Sequence, residues 1–188
     1  MSEFDLYFQL GREHILDVKG YDHILFVIAL CSLYQLKHWK NVLILVTAFT
    51  IGHSITLALS TFNIIQLDKS LIEFLIPITI LITALMNIIV GPGGENNNSK
   101  LNYVFALFFG LIHGLGFSNY LKALLGRDNS VLIQLFSFNL GIELGQIVIV
   151  VAFLMLSFIL TDVLGVSRRD WNLAVSSGVA AVAITLMI

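Results

Sequence analysis

The sequence predicts an all-α fold: a polytopic integral membrane bundle of six transmembrane helices with an N-terminal amphipathic segment at the interface. Two observations carry this expectation. The 188 residues are 57% hydrophobic and 12% charged, with a mean hydropathy of +0.92, whereas ordinary soluble domains carry about 25% charged residues. A soluble fold so composed would lack the polar surface to stay dispersed. The apolar residues also collect into runs near the roughly 20 residues that cross a hydrocarbon core, and clusters of helix breakers separate the runs.

The first span covers residues 21–36 and is short; the second covers 39–60, the third 71–90 and the fourth 101–121. The fifth, 131–160, is long, and the sixth runs over 171–188. Lys37-His38, Asn63 to Lys69, Gly91-Pro92-Gly93-Gly94 with Asn96 to Ser99, Gly126 to Asn129 and Gly165 to Asp170 divide them. Ser2 to Lys19 mixes apolar residues with charges and reads as a piece lying at the membrane surface. Glu3 and Asp5 stand where a signal peptide would carry basic residues. The first span is therefore expected to stay in the mature protein and to serve as its targeting signal. With no long linker and no internal repeat, residues 1–188 read as a single membrane domain.

Other classes are excluded early. A formal net charge of −2 gives no reason to expect nucleic acid, and the lone cysteine, Cys31, excludes a disulfide framework or a thiolate cluster within one chain. Lys and Arg are evenly divided between alternate loops, so the positive-inside rule alone does not orient the bundle. Acidic residues near the N-terminus favour both termini outside. The expected partners are the lipid bilayer and a metal ion, with a homo-oligomer left open.

A charged side chain in the bilayer interior costs roughly 2.5–3.5 kcal/mol or more and marks function by default. Asp22 and His23 open the first span, His53 lies in the second, His113 in the fourth and Glu143 in the fifth. Counting about 1.5 Å of rise per residue along alternating spans places all of them in the same half of the membrane. One shared site explains that agreement. Asn139, Glu143 and Gln146 share a helix face. Gly110 and Gly114, and also Gly141 and Gly145, have the small-xxx-small spacing that lets helices approach closely.

Several neighbours have plainer readings. Asp22 suits a helix cap, Glu73 suits the start of the third span, Cys31 suits packing, and His38 is expected in solvent.

Three imidazoles and two carboxylates without a thiolate suit Zn²⁺, Ni²⁺ or Co²⁺. His23, His53, His113, Asp22 and Glu143 are the candidate ligands, with His14, Asn139 and Gln146 as entrance or second-sphere groups. Proton coupling is the competing use of such His and carboxylate pairs.

At these residues the chain resembles the HupE/UreJ family of bacterial membrane proteins. The resemblance rests on G-x-x-H-I (Gly11, His14, Ile15), G-Y-D-H (Gly20 to His23), F-T-x-x-H-S-x-T-L, G-L-x-H-G-x-G-F and F-N-x-G-x-E-x-G-Q, in that order over nearly the whole chain. It implies a six-span nickel or cobalt permease of the bacterial inner membrane, feeding hydrogenase or urease, with Asp22, His23, His53, His113 and Glu143 as site residues and His14 added. The better-known nickel branch has an H-P-x-x-G-x-D-H motif. Here Leu16 stands six residues before Asp22, no proline follows, and His14 is displaced, so the chain is similar to the second branch.

Two functions follow from the same residues. One is a permease for a divalent transition metal. The other is an intramembrane zinc-dependent hydrolase or acyltransferase acting on a lipid or lipoprotein, with Glu143 or Asp22 as base and Ser54 beside the reacting group.

Overall fold

A computed structural model describes residues 2–93, 99–125 and 131–188, all-helical with intervening turns. The helices are α1 (Glu3–Leu16), α2 (Asp22–Cys31), α3 (Trp39–Thr61), α4 (Lys69–Val90), α5 (Ser99–Leu125), α6 (Val131–Phe158) and α7 (Arg168–Thr185). A 3₁₀ turn, Leu36–His38, leads into α3, and a π turn, Ile159–Val163, prolongs α6. The expected breakers Asn96 to Asn98 and Gly126 to Asn129 lie outside the described residues.

Local chemistry sets the ends. Ser2 and Asp5 form a capping box at the start of α1. Asp68 caps α4: its carboxylate accepts from the Ser70 hydroxyl and from the Ser70 and Leu71 N–H groups, which hold it below the usual carboxylate range. Gly91, at φ +68°, ends the same helix in a conformation that needs no Cβ. Lys69 and Glu73 pair across one turn at 3.2 Å, so Glu73 has the local role expected of it.

Four stretches are long and apolar enough to cross a membrane: Leu36–Thr61, Lys69–Val90, Lys100–Ser118 and Val131–Val163. The chain is an integral membrane protein. Four of the six expected spans coincide with these stretches; the helices at the other two, α2 and α7, are not among them. α7 keeps Arg168, Arg169, Asp170 and Asn172 in its first turns. α2 has only 10 residues and ends at Cys31 instead of Leu36. Its last carbonyls are taken early by side chains. Asn87 Nδ2 donates to the Ala29 carbonyl at 2.7 Å and to Ser32 Oγ at 2.8 Å, and Ser32 also meets Asn172 and Ser176. Asn172 in turn donates to the Asn87 carbonyl at 2.8 Å. This buried network ties α2, α4 and α7 together.

Glycines set the closest packing. A Cβ on Gly52 would strike the Leu107 carbonyl, one on Gly110 the Phe49 carbonyl, and one on Gly114 the His53 carbonyl. α3 and α5 therefore pack backbone to backbone and run parallel. Gly11 faces the Phe138 carbonyl, Gly141 the Phe8 carbonyl and Gly145 the Ile15 side chain in the same manner. The N-terminal segment is thus docked lengthwise on α6, which its apolar and charged mixture did not disclose. Its N-terminal end is held by hydrogen bonds from Gln134 to Glu3 and from Ser137 to the Phe4 carbonyl.

Candidate metal centre

Three of the four imidazoles sit where a glycine has brought two helices together. His14 lies one turn after Gly11, His113 one turn after Gly110, and His53 directly after Gly52. The remaining pair, Asp22 and His23, comes from the first turn of α2. The ring centroids of His14 and His23 are 4.6 Å apart, those of His23 and His113 5.2 Å, of His23 and His53 5.9 Å, and of His14 and His53 6.0 Å. His53 and His113 are fully buried and His23 nearly so.

The cluster has an apolar wall on two sides. Phe26 and Phe49 stand 5.0 and 5.1 Å from the His113 ring. Phe117 lies 3.9 Å from His14 and stacks on Phe138. Inside this shell the imidazoles have few partners. Asp22 Oδ1 meets His23 Nδ1 at 3.1 Å and accepts the His23 backbone N–H. Thr79 Oγ1 meets His113 Nε2 at 2.9 Å. His14 Nε2, His23 Nε2, both nitrogens of His53 and His113 Nδ1 are buried without a hydrogen-bond partner. Leaving buried polar atoms unpaired costs about 1–3 kcal/mol each, so several in one place need an explanation, and a ligand is one.

The donors fall into two overlapping groups. In His14, His23 and His53, and again in Asp22, His23 and His113, one ligand atom from each residue lies within 4.8 Å of the others. His23 belongs to both. Zn²⁺–N bonds of about 2.0–2.1 Å place tetrahedral donors about 3.4 Å apart, so side-chain rotation must close either group on an ion. Imidazoles with a carboxylate in a largely aromatic shell suit borderline first-row cations.

Of the expected residues, the structure brings together Asp22, His23, His53 and His113, and it adds His14 as a full member of the cluster. Glu143 stands elsewhere, half-buried in the seam between α3 and α6, where the Thr47 hydroxyl donates to it. Gln146 accepts from Thr50 at 2.7 Å, and Asn139 donates to the Leu135 carbonyl at 2.8 Å. Ser54 donates to the Thr50 carbonyl of its own helix. His38, expected in solvent, is half-buried in the 3₁₀ turn.

A protein-family model described as HupE / UreJ protein matches residues 1–188, the whole chain. The chain belongs to the HupE/UreJ family. No curated protein and no solved structure matches it. In this HupE/UreJ protein the sequence reading overlooked Thr79, which holds His113 from α4. Its signal was faint: a threonine two residues after Pro77, flanked by Ile78 and Ile80, in a helix that also carries Thr83 and Asn87.

Proposed function

We propose that this HupE/UreJ protein is a permease for a divalent transition metal of the nickel or cobalt class in a bacterial inner membrane. The observation that carries the reading is the pair of donor groups sharing His23. Asp22 and the four imidazoles do not form one closed shell, so an ion held by His14, His23 and His53 has a second set of donors beside it. His23 is the common ligand in a hand-over from one group to the other. Thr79 fixes the His113 ring as outer partners do in metal sites generally, and Asp22, itself a donor of the second group, also holds the His23 ring.

The hydrolase reading has less support. It needs a base and a hydroxyl beside the metal, yet Glu143 bonds Thr47 in another seam and Ser54 is committed to its own helix. Uptake of Ni²⁺ or Co²⁺ into proteoliposomes tests the proposal. Uptake is expected with the wild-type protein and is expected to be lost in His23→Ala and His113→Ala. Uptake unchanged by both substitutions would overturn it.

A further inference from the structure

α1 and α2 occupy one side of α6 in succession. α1 begins at the level of Gln134, and its last turn stops at Gly145, against the Ile15 side chain and the Arg12 carbonyl. Gly145 stands 14 residues after Val131 and 18 before Val163, near the middle of the long apolar stretch. α2 carries the chain onward to the far end, where Ser32 and Gln35 share a small pocket with Ser157 and Thr161. The two helices together make one crossing in two pieces, with residues 17–21 as a break at mid-depth.

That break is rich in groups that lipid excludes. Arg12, Glu13, Asp17 and Lys19 are exposed, and Val18 is 78% exposed. Charged side chains at such a depth turn to a bundle interior or to water. Irregular backbone is tolerated there only against protein or a wet cavity. An open cleft of about 1030 Å³ lies beside the break, lined among others by Arg12, Glu13, His14, Asp17, Phe117 and Val148. His14 joins this cleft to the cluster, and its Nε2 has no hydrogen-bond partner.

We propose that the cleft is a water-filled vestibule through which a hydrated divalent cation reaches His14, the first imidazole it meets. The proposal rests on the metal reading above. Among the charged lining residues Glu13 and Asp17 outnumber Arg12, and the C-terminal end of α1, where carbonyls carry partial negative charge, faces the arriving cation. The ion then passes from His14 to His23 without crossing the phenylalanine walls.

Cysteine accessibility in the full-length protein in proteoliposomes tests this. Asp17→Cys, Val18→Cys and Val148→Cys are treated from each face with a charged, membrane-impermeant methanethiosulfonate; the buried native Cys31 sets the background. Ile51→Cys is the control at equal depth, because Thr50 bonds Gln146 beside Gly145 and Ile51 is 49% exposed. The cleft positions are expected to label at least about tenfold faster than Ile51→Cys, since thiol attack depends on access. Labelling of Val18→Cys and Val148→Cys only after detergent extraction would overturn the vestibule and point to lipid or a second copy over the cleft. Fast labelling of Ile51→Cys as well would place this depth outside the bilayer and overturn it equally. Co²⁺ binding by Val18→Cys separates the two readings. Binding without labelling leaves the metal site standing and removes the vestibule; labelling without Co²⁺ binding does the reverse.

Discussion

The imidazoles of His14 and His23 stand 4.6 Å apart, centroid to centroid, although one closes α1 and the other opens α2. The chain leaves the helix between them and returns, so a pair nine residues apart in sequence becomes a pair of neighbouring donors. His23 reaches His53 and His113 from the same position. It is the residue on which both donor groups depend.

His23→Ala is therefore expected to weaken Co²⁺ binding by at least about 100-fold, beyond the 10- to 100-fold typical of outer-sphere partners. Asp22→Asn keeps the ring but loses the charge beside it, and an effect of about tenfold is expected. Titration of the purified protein by absorbance in the visible cobalt bands measures both. Equal, small effects would remove His23 from its shared role.

Thr79→Val keeps the shape of α4 and removes the hydroxyl that meets His113 Nε2. Co²⁺ affinity is expected to fall about tenfold, and Thr79→Ser is expected to restore it. A purely structural threonine would lower thermal stability without that rescue of affinity.

Glu143→Gln is expected to leave Co²⁺ affinity within about threefold of wild type, well short of even an outer-sphere loss. The carboxylate bonds Thr47 and belongs to neither donor group. A loss as large as that of His23→Ala in the same titration would return Glu143 to the ligand set.

Gly110→Ala places a Cβ against the Phe49 carbonyl, and backbone cannot rotate out of the way as a side chain can. Overpacking of this kind costs about 1–3 kcal/mol, measured as a lower midpoint for thermal loss of monodisperse protein in detergent. His53 lies in the displaced turn, so Co²⁺ binding is expected to weaken with it. Asn172→Ala is expected to cost a similar amount, about 1–3 kcal/mol, by leaving Ser32 and Ser176 short of a partner. Its Co²⁺ affinity should stay at the wild-type value, because the network lies at the opposite end of α2 from His23.

Much of this was legible in the sequence. The long apolar runs became α3 to α6 with boundaries close to those expected, because propensity and lipid demand the same conformation there. The glycine spacings at Gly110 and Gly114, and at Gly141 and Gly145, do mark close approaches. Counting helical rise placed His23, His53 and His113 at one depth, and they meet. Three things were not legible. The charged face of α1 resembled that of a surface helix, and nothing in its composition named α6 as its partner. Rise along a helix gives depth but not direction, so it groups Glu143, which bonds Thr47, with residues that it does not face. The end of α2 at Cys31 depends on Asn87 and Asn172, far away in sequence, and only tertiary structure joins them.

The central claim is that the buried imidazoles hold a divalent transition metal. Its most direct test is a Co²⁺ titration of the purified protein against single alanine substitutions of His14, His23, His53 and His113, repeated at falling pH. Imidazoles bind metal only when neutral, so affinity is expected to fall on acidification, with protons released on binding. Saturable binding lost in His23→Ala, and weakened in each of the other three variants because one donor group stays whole, is the predicted result. Absence of saturable binding, or binding that survives the loss of His23 and His53 alike, would contradict it.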